Sequence, residues 1–571
     1  MRANANKMRG MQSRTSDSDI WFLKLHGFGK DCKTTGLMTM PSVAVQHALR
    51  LLQAGDIAGA ERALAAIADP SPDVLDARYE LGSAFQDRGQ WEAAERTYRN
   101  LMALAPSHVA AKLGLGGVLI ETMRPVEAEA VLRLGLAQKT PPRLRAALHM
   151  TLGLALRRQR KDTEALTQYD AARALDPSLP ELDIHRAEAL QNLKRYDEAL
   201  ETYRQNLARE PRNPQVHRFY NELLHRLNRT QDYLKSYDRA AGDRTLLLGK
   251  ALFLSHDKRD AECYAIYRGL LARDPHDVVA AVGSAEALAQ LGRPADALAV
   301  FELLMSRGIA SAYLFNRAAE AALRTGDPQK ALAHCEQGLA LAPGDASLLA
   351  SMSVALRMME DERDDVLNGY DSFIQAFDLE PPDGFATMAD FNAALAASLD
   401  RLHPQTREYV GQSLRGGTQT PDHLFGAGHD LVDRLQARIA QTLSRYIAGL
   451  KEDETHPFLS RRRRGFGYAG SWSSRLKDCG FHVNHVHPQG WISSCYYVAV
   501  PEAVKDETAR QGWIKFGEPS YAVALKNPIR RAIQPVPGRL VLFPSYMWHG
   551  TIPFRDQAAR TTIAFDAIPV L

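Results

Sequence analysis

Cysteine is scarce in this sequence. The five cysteines stand far apart, and no two of them form a Cys-x-x-Cys pair. This usage argues against a disulfide framework and against a structural zinc site built from paired cysteines, and it favours a reducing compartment.

Long apolar runs are missing as well. No run of about 18 apolar residues occurs, which argues against a transmembrane helix. Near the N-terminus, the apolar run 21–25 is too short for a secretion signal and is interrupted by Lys24. The sequence therefore predicts a cytoplasmic protein with no membrane partner.

A dominant charge of one sign is the third absence. The 70 Lys and Arg residues are balanced by 67 Asp and Glu residues, which leaves a net charge of +3. This balance gives no support to nucleic-acid binding by bulk electrostatics. One local basic run, residues 461–464, is interpreted as a solvated linker in preference to a contact with a phosphate or an acidic partner.

The chain divides into three parts by composition. Residues 1–40 are polar and have no helical period, so they are predicted to be a disordered leader or to precede a true start near Met40. Residues 41–360 are rich in Ala and Leu at helical spacing. From residue 361 to residue 571 the sequence is richer in Gly, Pro and aromatic residues, which predicts a separate domain.

A period of 34 residues runs through 41–360. Small residues recur, mostly at this spacing, at Ala60, Ala94, Ala128, Ala165, Ala199, Ala297 and Ala331. Each unit reads as two antiparallel helices: the small residue lets them approach, and a Pro such as Pro106 ends the second helix. The pattern resembles the tetratricopeptide repeat, with about nine copies.

A repeat array of this kind offers an extended concave surface to a peptide or protein partner. The alternative is that the repeats only support the downstream domain or dimerise it. The sequence does not identify which groove residues would contact a partner. We favour partner recognition.

Residues 361–571 begin with helices and continue with strands. Helices are predicted over 390–402 and 431–450, and strands over 491–500, 513–516, 540–543 and 561–565. Short strands at this spacing predict an antiparallel sandwich or a jelly-roll barrel. The predicted fold class is therefore an all-α repeat superhelix followed by a jelly-roll domain with flanking helices.

Three histidines fall within six residues of this domain. His485 and His487 are two residues apart, so both side chains lie on one face of a strand, whereas His482 faces the other way if the strand is regular. His549 ends an apolar strand 62 residues after His487, and Arg560 follows it by eleven residues.

This combination matches what a non-haem iron(II) oxygenase requires. The protein holds one face of the metal, and the other positions stay open for a keto acid and O₂. The far carboxylate of the keto acid needs a fixed cation, and the planar fork of an arginine can bind it through two hydrogen bonds.

Residues 366–571 resemble the iron(II)- and 2-oxoglutarate-dependent oxygenases, and in particular a bacterial group that is often fused to tetratricopeptide repeats. The stretches that carry the resemblance are 412–420, 470–473, 481–497, 512–517, 538–554 and 560–569. It implies a chain that uses Fe(II), 2-oxoglutarate and O₂ as co-substrate.

The resemblance also implies roles for single residues. His485 is the expected first iron ligand and His549 the distal one. Arg560 is expected to hold the C5 carboxylate of 2-oxoglutarate, with Thr562 as a helper on the same strand face. Superfamily members usually carry a carboxylate two residues after the first His, where this chain has His487.

The third ligand therefore stays open at this point. Either His487 is a ligand and the site has three histidines, or His487 forms a hydrogen bond and water takes the position. A carboxylate from elsewhere, such as Asp566, is the weaker option. No catalytic residue beyond the metal ligands is predicted.

Several further residues are weaker candidates. Asn484 and Tyr497 are predicted to line the keto-acid pocket, with an ordinary inward strand position as the equal alternative. Arg415 is a candidate for substrate contact, although an arginine in a Gly-rich stretch is more often solvated. His482 is assigned a structural or supporting role, and Cys495 is interpreted as core filling.

The sequence thus predicts an oxygenase that hydroxylates a peptide or protein side chain recruited by the repeats. One alternative is a repeat scaffold whose barrel is inactive or senses a ligand. The other is a three-His metal enzyme of the cupin type that uses no keto acid. The substrate, the atom oxidised and the oligomeric state are not predicted.

Overall fold

The computed structural model describes residues 42–68, 70–179, 181–238, 242–403, 408–410, 412–420 and 423–570. The leader discussed above, residues 1–40, lies outside these ranges. The chain forms two compact units, which divide between Tyr220 and Asn221. None of the helices in the described ranges is both long and apolar enough to cross a membrane.

The first unit consists of helices that pair as antiparallel hairpins. They are α1 (Val43–Gln53), α2 (Ile57–Ala65), α3 (Pro72–Asp87), α4 (Trp91–Leu104), α5 (Val109–Glu121), α6 (Pro125–Leu136), α7 (Pro142–Arg158), α8 (Asp162–Leu175), α9 (Leu182–Asn192) and α10 (Tyr196–Arg209). A Cβ at Gly82 would lie 2.6 Å from the Tyr98 ring. A glycine at this second position of the repeat is therefore what admits the aromatic ring of the next helix.

The boundary between the units falls inside α11 (Pro214–Arg226). The helices that follow are α12 (Lys235–Asp238), α13 (Arg244–His256), α14 (Asp260–Arg273), α15 (Val278–Gln290), α16 (Pro294–Ser306), α17 (Ala312–Arg324), α18 (Pro328–Leu341) and α19 (Ala346–Met358). The four-residue α12 is where one repeat is shortened, which accounts for the irregular step between Ala199 and Ala297. The buried Cys263 takes the small-residue position of the next copy.

The repeats are followed by short helices and by strands. These elements are α20 (Arg363–Asn368), α21 (Tyr370–Phe373), β1 (Gln375–Asp378), α22 (Met388–Asp400), β2 (Leu414–Gln419), α23 (Asp430–Gly449), β3 (Gly465–His482), β4 (Ile492–Ala499), β5 (Ile514–Phe516), β6 (Arg531–Ile533), β7 (Arg539–Pro544), β8 (His549–Thr551) and β9 (Arg560–Val570). The two helices and four strands predicted from the sequence correspond to α22, α23, β4, β5, β7 and β9.

The strands form two antiparallel sheets. One has the order β1-β7-β4-β9-β3-β2, and the other has the order β6-β5-β8. The larger sheet packs its apolar face on α22 and α23, with Phe391, Leu395 and Ile439 among the fully buried side chains. Strands β3, β4 and β9 lie next to one another, and they bring the conspicuous histidine and arginine segments together.

The sheets also contact the last repeat helices of the same unit. The Trp548 indole N–H donates to the Ala350 carbonyl at 3.1 Å. Arg357 donates to the carbonyls of Gly517 and Asn527. The change from helix to strand near residue 361 is therefore a change of secondary structure inside one compact unit.

Candidate metal centre

A short antiparallel bridge brings two of the predicted ligands together. The His485 N–H donates to the His549 carbonyl at 2.9 Å, and the His549 N–H donates back to the His485 carbonyl at 3.1 Å. This pairing sets the two imidazole centroids 4.2 Å apart. His549 is the first residue of β8, and His485 follows the end of β3, so the two sheets meet at this bridge.

The outer nitrogens of both rings are anchored to backbone carbonyls. The Nδ1 of His485 donates to the Val483 carbonyl at 2.7 Å, and the Nδ1 of His549 donates to the Met547 carbonyl at 2.9 Å. A carbonyl can only accept, so each ring carries its proton on Nδ1. Their Nε2 lone pairs therefore face the space between the rings, as a metal site requires.

His487 completes a group of three ligand atoms. The ligand nitrogens of His485, His487 and His549 all lie within 4.8 Å of one another, and the Nε2 atoms of His485 and His487 are 3.1 Å apart. The separation suits two nitrogens that each lie about 2.1 Å from one ion, so the residues fit a metal.

Asp566 lies behind His487. Its Oδ2 accepts from the His487 Nδ1 at 2.6 Å, and its Oδ1 accepts from the Ser493 hydroxyl at 2.7 Å. Both carboxylate oxygens are thus engaged away from the other two imidazoles. The position supports a role in orienting His487, and Asp566 is not part of the ligand group found in the described residues.

Burial keeps the imidazoles of His485 and His549 uncharged. Burial, together with the nearby His487, lowers the pKa of His485 to about 3. Burial and then His485 hold the pKa of His549 well below its ordinary value. Both rings are therefore neutral at physiological pH, which is the state that binds a metal ion.

Arg560 forms a second polar feature of the site. The guanidinium is 1% exposed, its Nε donates to the Gly512 carbonyl at 3.0 Å, and its Cζ lies 5.0 Å from the centre of the Tyr497 ring. Among the described residues, neither its Nη1 nor the Tyr497 hydroxyl has a hydrogen-bond partner. A buried cation with open donors is costly unless an anion binds it, so the pair fits a carboxylate.

The other residues around Arg560 are also buried. Thr562 lies two residues further along β9 and pairs in register with Tyr497. The Cys495 Sγ is 4.0 Å from Arg560 Nη2, and burial raises the pKa of this thiol. Burial likewise raises the pKa of Tyr497, so its hydroxyl remains a donor.

His482 lies near the three-His group without belonging to it. Its ring centroid is 6.0 Å from that of His485, and its Nδ1 is 3.2 Å from the Ser413 hydroxyl. The same hydroxyl is 3.4 Å from the His485 Nε2. Strand β3 ends at His482 and a bend follows at Asn484, so the alternation expected for a regular strand stops there.

Two weaker candidates have their donors engaged elsewhere. The Asn484 amide nitrogen donates to Glu518 Oε2 and to the Pro519 carbonyl, which uses both of its hydrogens. The Arg415 Nη1 donates to the carbonyls of Gln412 and Leu414. Their predicted roles in binding the keto acid and the substrate remain predictions.

The basic run 461–464 differs from a solvated linker at its first two residues. Arg461 donates to the Gly490 carbonyl at 3.2 Å, and burial lowers its pKa. Arg462 donates to the Ile447 carbonyl and to Glu452. These side chains fasten the start of β3 to neighbouring segments.

Two residues that support the site were not among those predicted from the sequence. The Trp472 ring stacks on His487 with centroids 5.6 Å apart and an interplanar angle of 11°. The Ser413 hydroxyl lies between His482 and His485. Both lie in stretches that carry the family resemblance, 470–473 and 412–420. Their contacts could not be predicted, because each depends on a strand pairing that joins distant segments.

Comparison with solved structures finds repeat proteins. A tetratricopeptide repeat protein from Parabacteroides merdae is 19% identical over 43% of this chain and 98% of its own, with a TM-score of 0.29. A thermophilic repeat protein from Thermus thermophilus is 23% identical over 32% and 97%, with a TM-score of 0.27. The pilF protein of Pseudomonas aeruginosa is 20% identical over 36% and 93%, with a TM-score of 0.29. No curated protein sequence matches.

Family models match both parts of the chain. Models described as tetratricopeptide repeat match 45–85, 85–149, 187–215 and 246–312. The chain thus combines tetratricopeptide repeats with a C-terminal segment, residues 470–566, that matches the family described as "Putative 2OG-Fe(II) oxygenase".

Proposed function

We propose that this protein is an iron(II)- and 2-oxoglutarate-dependent oxygenase that hydroxylates a peptide or protein side chain. The observation that carries the proposal is the convergence of three imidazoles in the same domain as a buried arginine with an open N–H. In this assignment residues 361–571 form the catalytic domain, with a jelly-roll arrangement of the two sheets, and residues 41–360 recruit the substrate.

His485, His487 and His549 would hold the metal. Their backbone and Asp566 anchors fix the ring orientations before the ion arrives, which reduces the cost of ordering the ligands. Three neutral imidazoles leave the ion more positively charged than two imidazoles and a carboxylate would. The negative charge of Asp566, which contacts the His487 Nδ1, supplies part of what the missing carboxylate would contribute.

Arg560 would bind the far carboxylate of 2-oxoglutarate. Its open Nη1 and the Tyr497 hydroxyl are two donors in a buried place, and burial strengthens their interaction with an anion. Thr562, on the same strand as Arg560, offers a third donor. When bound, Fe(II) and 2-oxoglutarate supply the oxidising chemistry: O₂ is consumed, the keto acid becomes succinate and CO₂, and one oxygen atom enters a C–H bond.

The peptide part of the proposal rests on the repeats. Tetratricopeptide repeats commonly present a groove to a protein partner, and they occupy more than half of this chain. If the repeats hold the substrate, one of its C–H bonds can lie at the metal although the catalytic domain does not enclose the whole substrate.

The test is an anaerobic titration of the full chain with Fe(II) and then 2-oxoglutarate. We expect the weak visible band of a metal-bound keto acid in the wild type. Arg560→Ala should lose the band at the same ligand concentration while keeping its iron, and His549→Ala should lose both. An iron-loaded wild type without a band would contradict the proposal.

A second candidate is a three-His metal enzyme that uses no keto acid. The observation that favours it is His487 in the place of the usual carboxylate. Such an enzyme has no use for a buried arginine with open donors, so the two functions differ in what Arg560 does. Iron binding without any effect of 2-oxoglutarate on the spectrum would favour this candidate.

A further inference from the structure

A second group of metal-ligand side chains lies outside the site described above. His225 is in the last turn of α11, His256 is the last residue of α13, and Glu408 lies in the segment between α22 and β2. One ligand atom from each lies within 4.8 Å of the others. All three belong to the unit that begins at Asn221.

The surroundings of this group favour a cation. Glu408 is 8% exposed and His225 is 5% exposed, and a buried carboxylate is costly unless a positive charge offsets it. Both histidines lie at the C-terminal ends of helices, where the backbone carbonyls carry partial negative charge. Two helix ends and a carboxylate therefore direct negative charge toward one place.

A second carboxylate stands beside the group. The Asp257 side chain, at the residue that follows α13, has an oxygen 3.9 Å from the His225 Nδ1. The two imidazole centroids are 5.2 Å apart with their planes at 82°. This edge-to-face arrangement keeps the two rings side by side, with one ligand atom of each within 4.8 Å of Glu408.

The positive charges nearby are arginines. The Arg226 guanidinium lies 4.7 Å from the centre of the Tyr409 ring. Burial lowers the pKa of Arg415, and the negative charge of Glu408 offsets part of that effect. Arg415 is thus the competing partner for Glu408.

We propose that His225, His256 and Glu408 bind a divalent transition-metal ion, with Zn²⁺ as the best match. Two imidazoles and one carboxylate form a borderline ligand set that suits Zn²⁺ better than Mg²⁺ or Ca²⁺, which take oxygen ligands. This site is distinct from the three-His group and does not rest on the function proposed for it.

The ion would fasten a segment that leads to the first site. Glu408 precedes Ser413 by five residues, and Ser413 contacts His482 and His485. Two contacts already hold this segment against α11: the Val410 N–H donates to Glu222 at 3.0 Å, and Arg226 stacks on Tyr409. The ion would therefore hold the residues that lead into β2 against the C-terminal ends of α11 and α13.

The test counts zinc in the full chain after chelator treatment, zinc loading and exhaustive dialysis. It uses a His485→Ala/His549→Ala background, so that the three-His group does not contribute. We expect one zinc per chain in this background and none once Glu408→Gln is added. Glu507→Gln, at an exposed position, is the matched carboxylate control and should keep the ion.

A spectroscopic measurement covers the case in which the background variant fails to fold. Co²⁺ added to the otherwise wild-type chain should give visible absorption from two sites, and Glu408→Gln or His256→Asn should remove one contribution. His276→Asn, an exposed histidine, should change nothing. Zinc that survives Glu408→Gln, or a cobalt spectrum that neither site variant alters, would overturn the proposal.

Discussion

At the scale of single residues, the candidate centre depends on how each imidazole is held. Backbone carbonyls fix the His485 and His549 rings, and a carboxylate fixes His487. The sequence could predict that His485 and His487 share a face, because that follows from strand periodicity alone. It could not place Asp566 behind His487, because the two residues meet only through the pairing of distant strands.

Asp566→Asn tests whether this carboxylate tunes the metal site. The amide oxygen can still accept from the His487 Nδ1, so the ring stays oriented while the negative charge is lost. We expect the affinity for Fe(II) to fall by about 10- to 100-fold, measured by competition with a chelator. Asp378→Asn, at an exposed residue paired with Arg539, is the control. Equal affinities in wild type and Asp566→Asn would remove Asp566 from the site.

Arg560→Lys tests the carboxylate clamp. The charge remains, but the planar fork that reaches both oxygens of a carboxylate is lost. We expect the dissociation constant for 2-oxoglutarate to rise about 100-fold, the equivalent of one or two hydrogen bonds to a charged group, with iron content unchanged. Binding to the iron-loaded protein under argon gives the constant.

Arg539→Lys changes a partly exposed arginine of β7 in the same way and should bind 2-oxoglutarate like the wild type. If Arg560→Lys also binds normally, the keto acid does not use this arginine.

At the scale of elements, predictability differs between the two halves. The repeat helices can be predicted from the sequence because the same packing pattern recurs in each copy. Strands β4, β5, β7 and β9 can be predicted because each is a short apolar run. The 18-residue β3 cannot be predicted in this way, because its sequence mixes glycines, serines and charged residues. It has strand neighbours on both sides, β2 and β9, so backbone pairing rather than an apolar pattern makes it a strand.

A matched pair of glycines tests the repeat packing rule. A Cβ at Gly283 in α15 would lie 2.3 Å from the Tyr267 ring of α14, whereas a Cβ at Gly269 in α14 would meet nothing within 4 Å. We expect Gly283→Ala to lower the free energy of unfolding by about 1–3 kcal/mol through overpacking.

Gly269→Ala should raise that free energy by up to about 1 kcal/mol, since alanine favours a helix. Urea denaturation followed by circular dichroism measures both variants. Destabilisation of the same size at both positions would contradict the packing rule.

His403 joins α22 to the larger sheet and gives the fold a pH dependence. Its two ring nitrogens are each 3.0 Å from a hydroxyl, that of Thr418 in β2 and that of Ser473 in β3. Burial, and then the charge of Arg475, lowers its pKa to about 4. The unfolded chain binds this proton near pH 6.5, so stability is complete above that pH and falls as the pH drops toward 4.

We therefore expect His403→Gln, which keeps polar contacts but does not titrate, to lose less stability in acid. Between pH 7 and pH 5 the wild type should lose about 2 kcal/mol more than the variant, measured by urea denaturation at both values. His276→Gln, at an exposed histidine, should follow the wild type. A variant that loses as much stability as the wild type would show that His403 is not the group responsible.

At the scale of the whole molecule, the change of composition near residue 361 and the division into compact units fall at different places in the chain. The compact units separate at Tyr220 and Asn221, and the later repeats share a unit with the sheets. The contacts of Trp548 and Arg357 with distant backbone carbonyls hold them together. A sequence period reports the packing of neighbouring helices, and it carries no information on what a helix array contacts elsewhere.

This arrangement places the candidate metal centre next to the repeats of its own unit. Trp548, which contacts the Ala350 carbonyl, immediately precedes the proposed ligand His549. A partner bound by these later repeats would therefore lie close to His549. The chemistry of the centre can nevertheless be tested without a partner.

The most direct test is the formation of succinate from 2-oxoglutarate by the full-length chain with Fe(II), begun by admitting O₂. We predict slow succinate formation that requires Fe(II), 2-oxoglutarate and O₂ together. His549→Ala and Arg560→Ala should both abolish it. A wild-type protein that binds Fe(II) yet forms no more succinate than His549→Ala would contradict the assignment of an oxygenase.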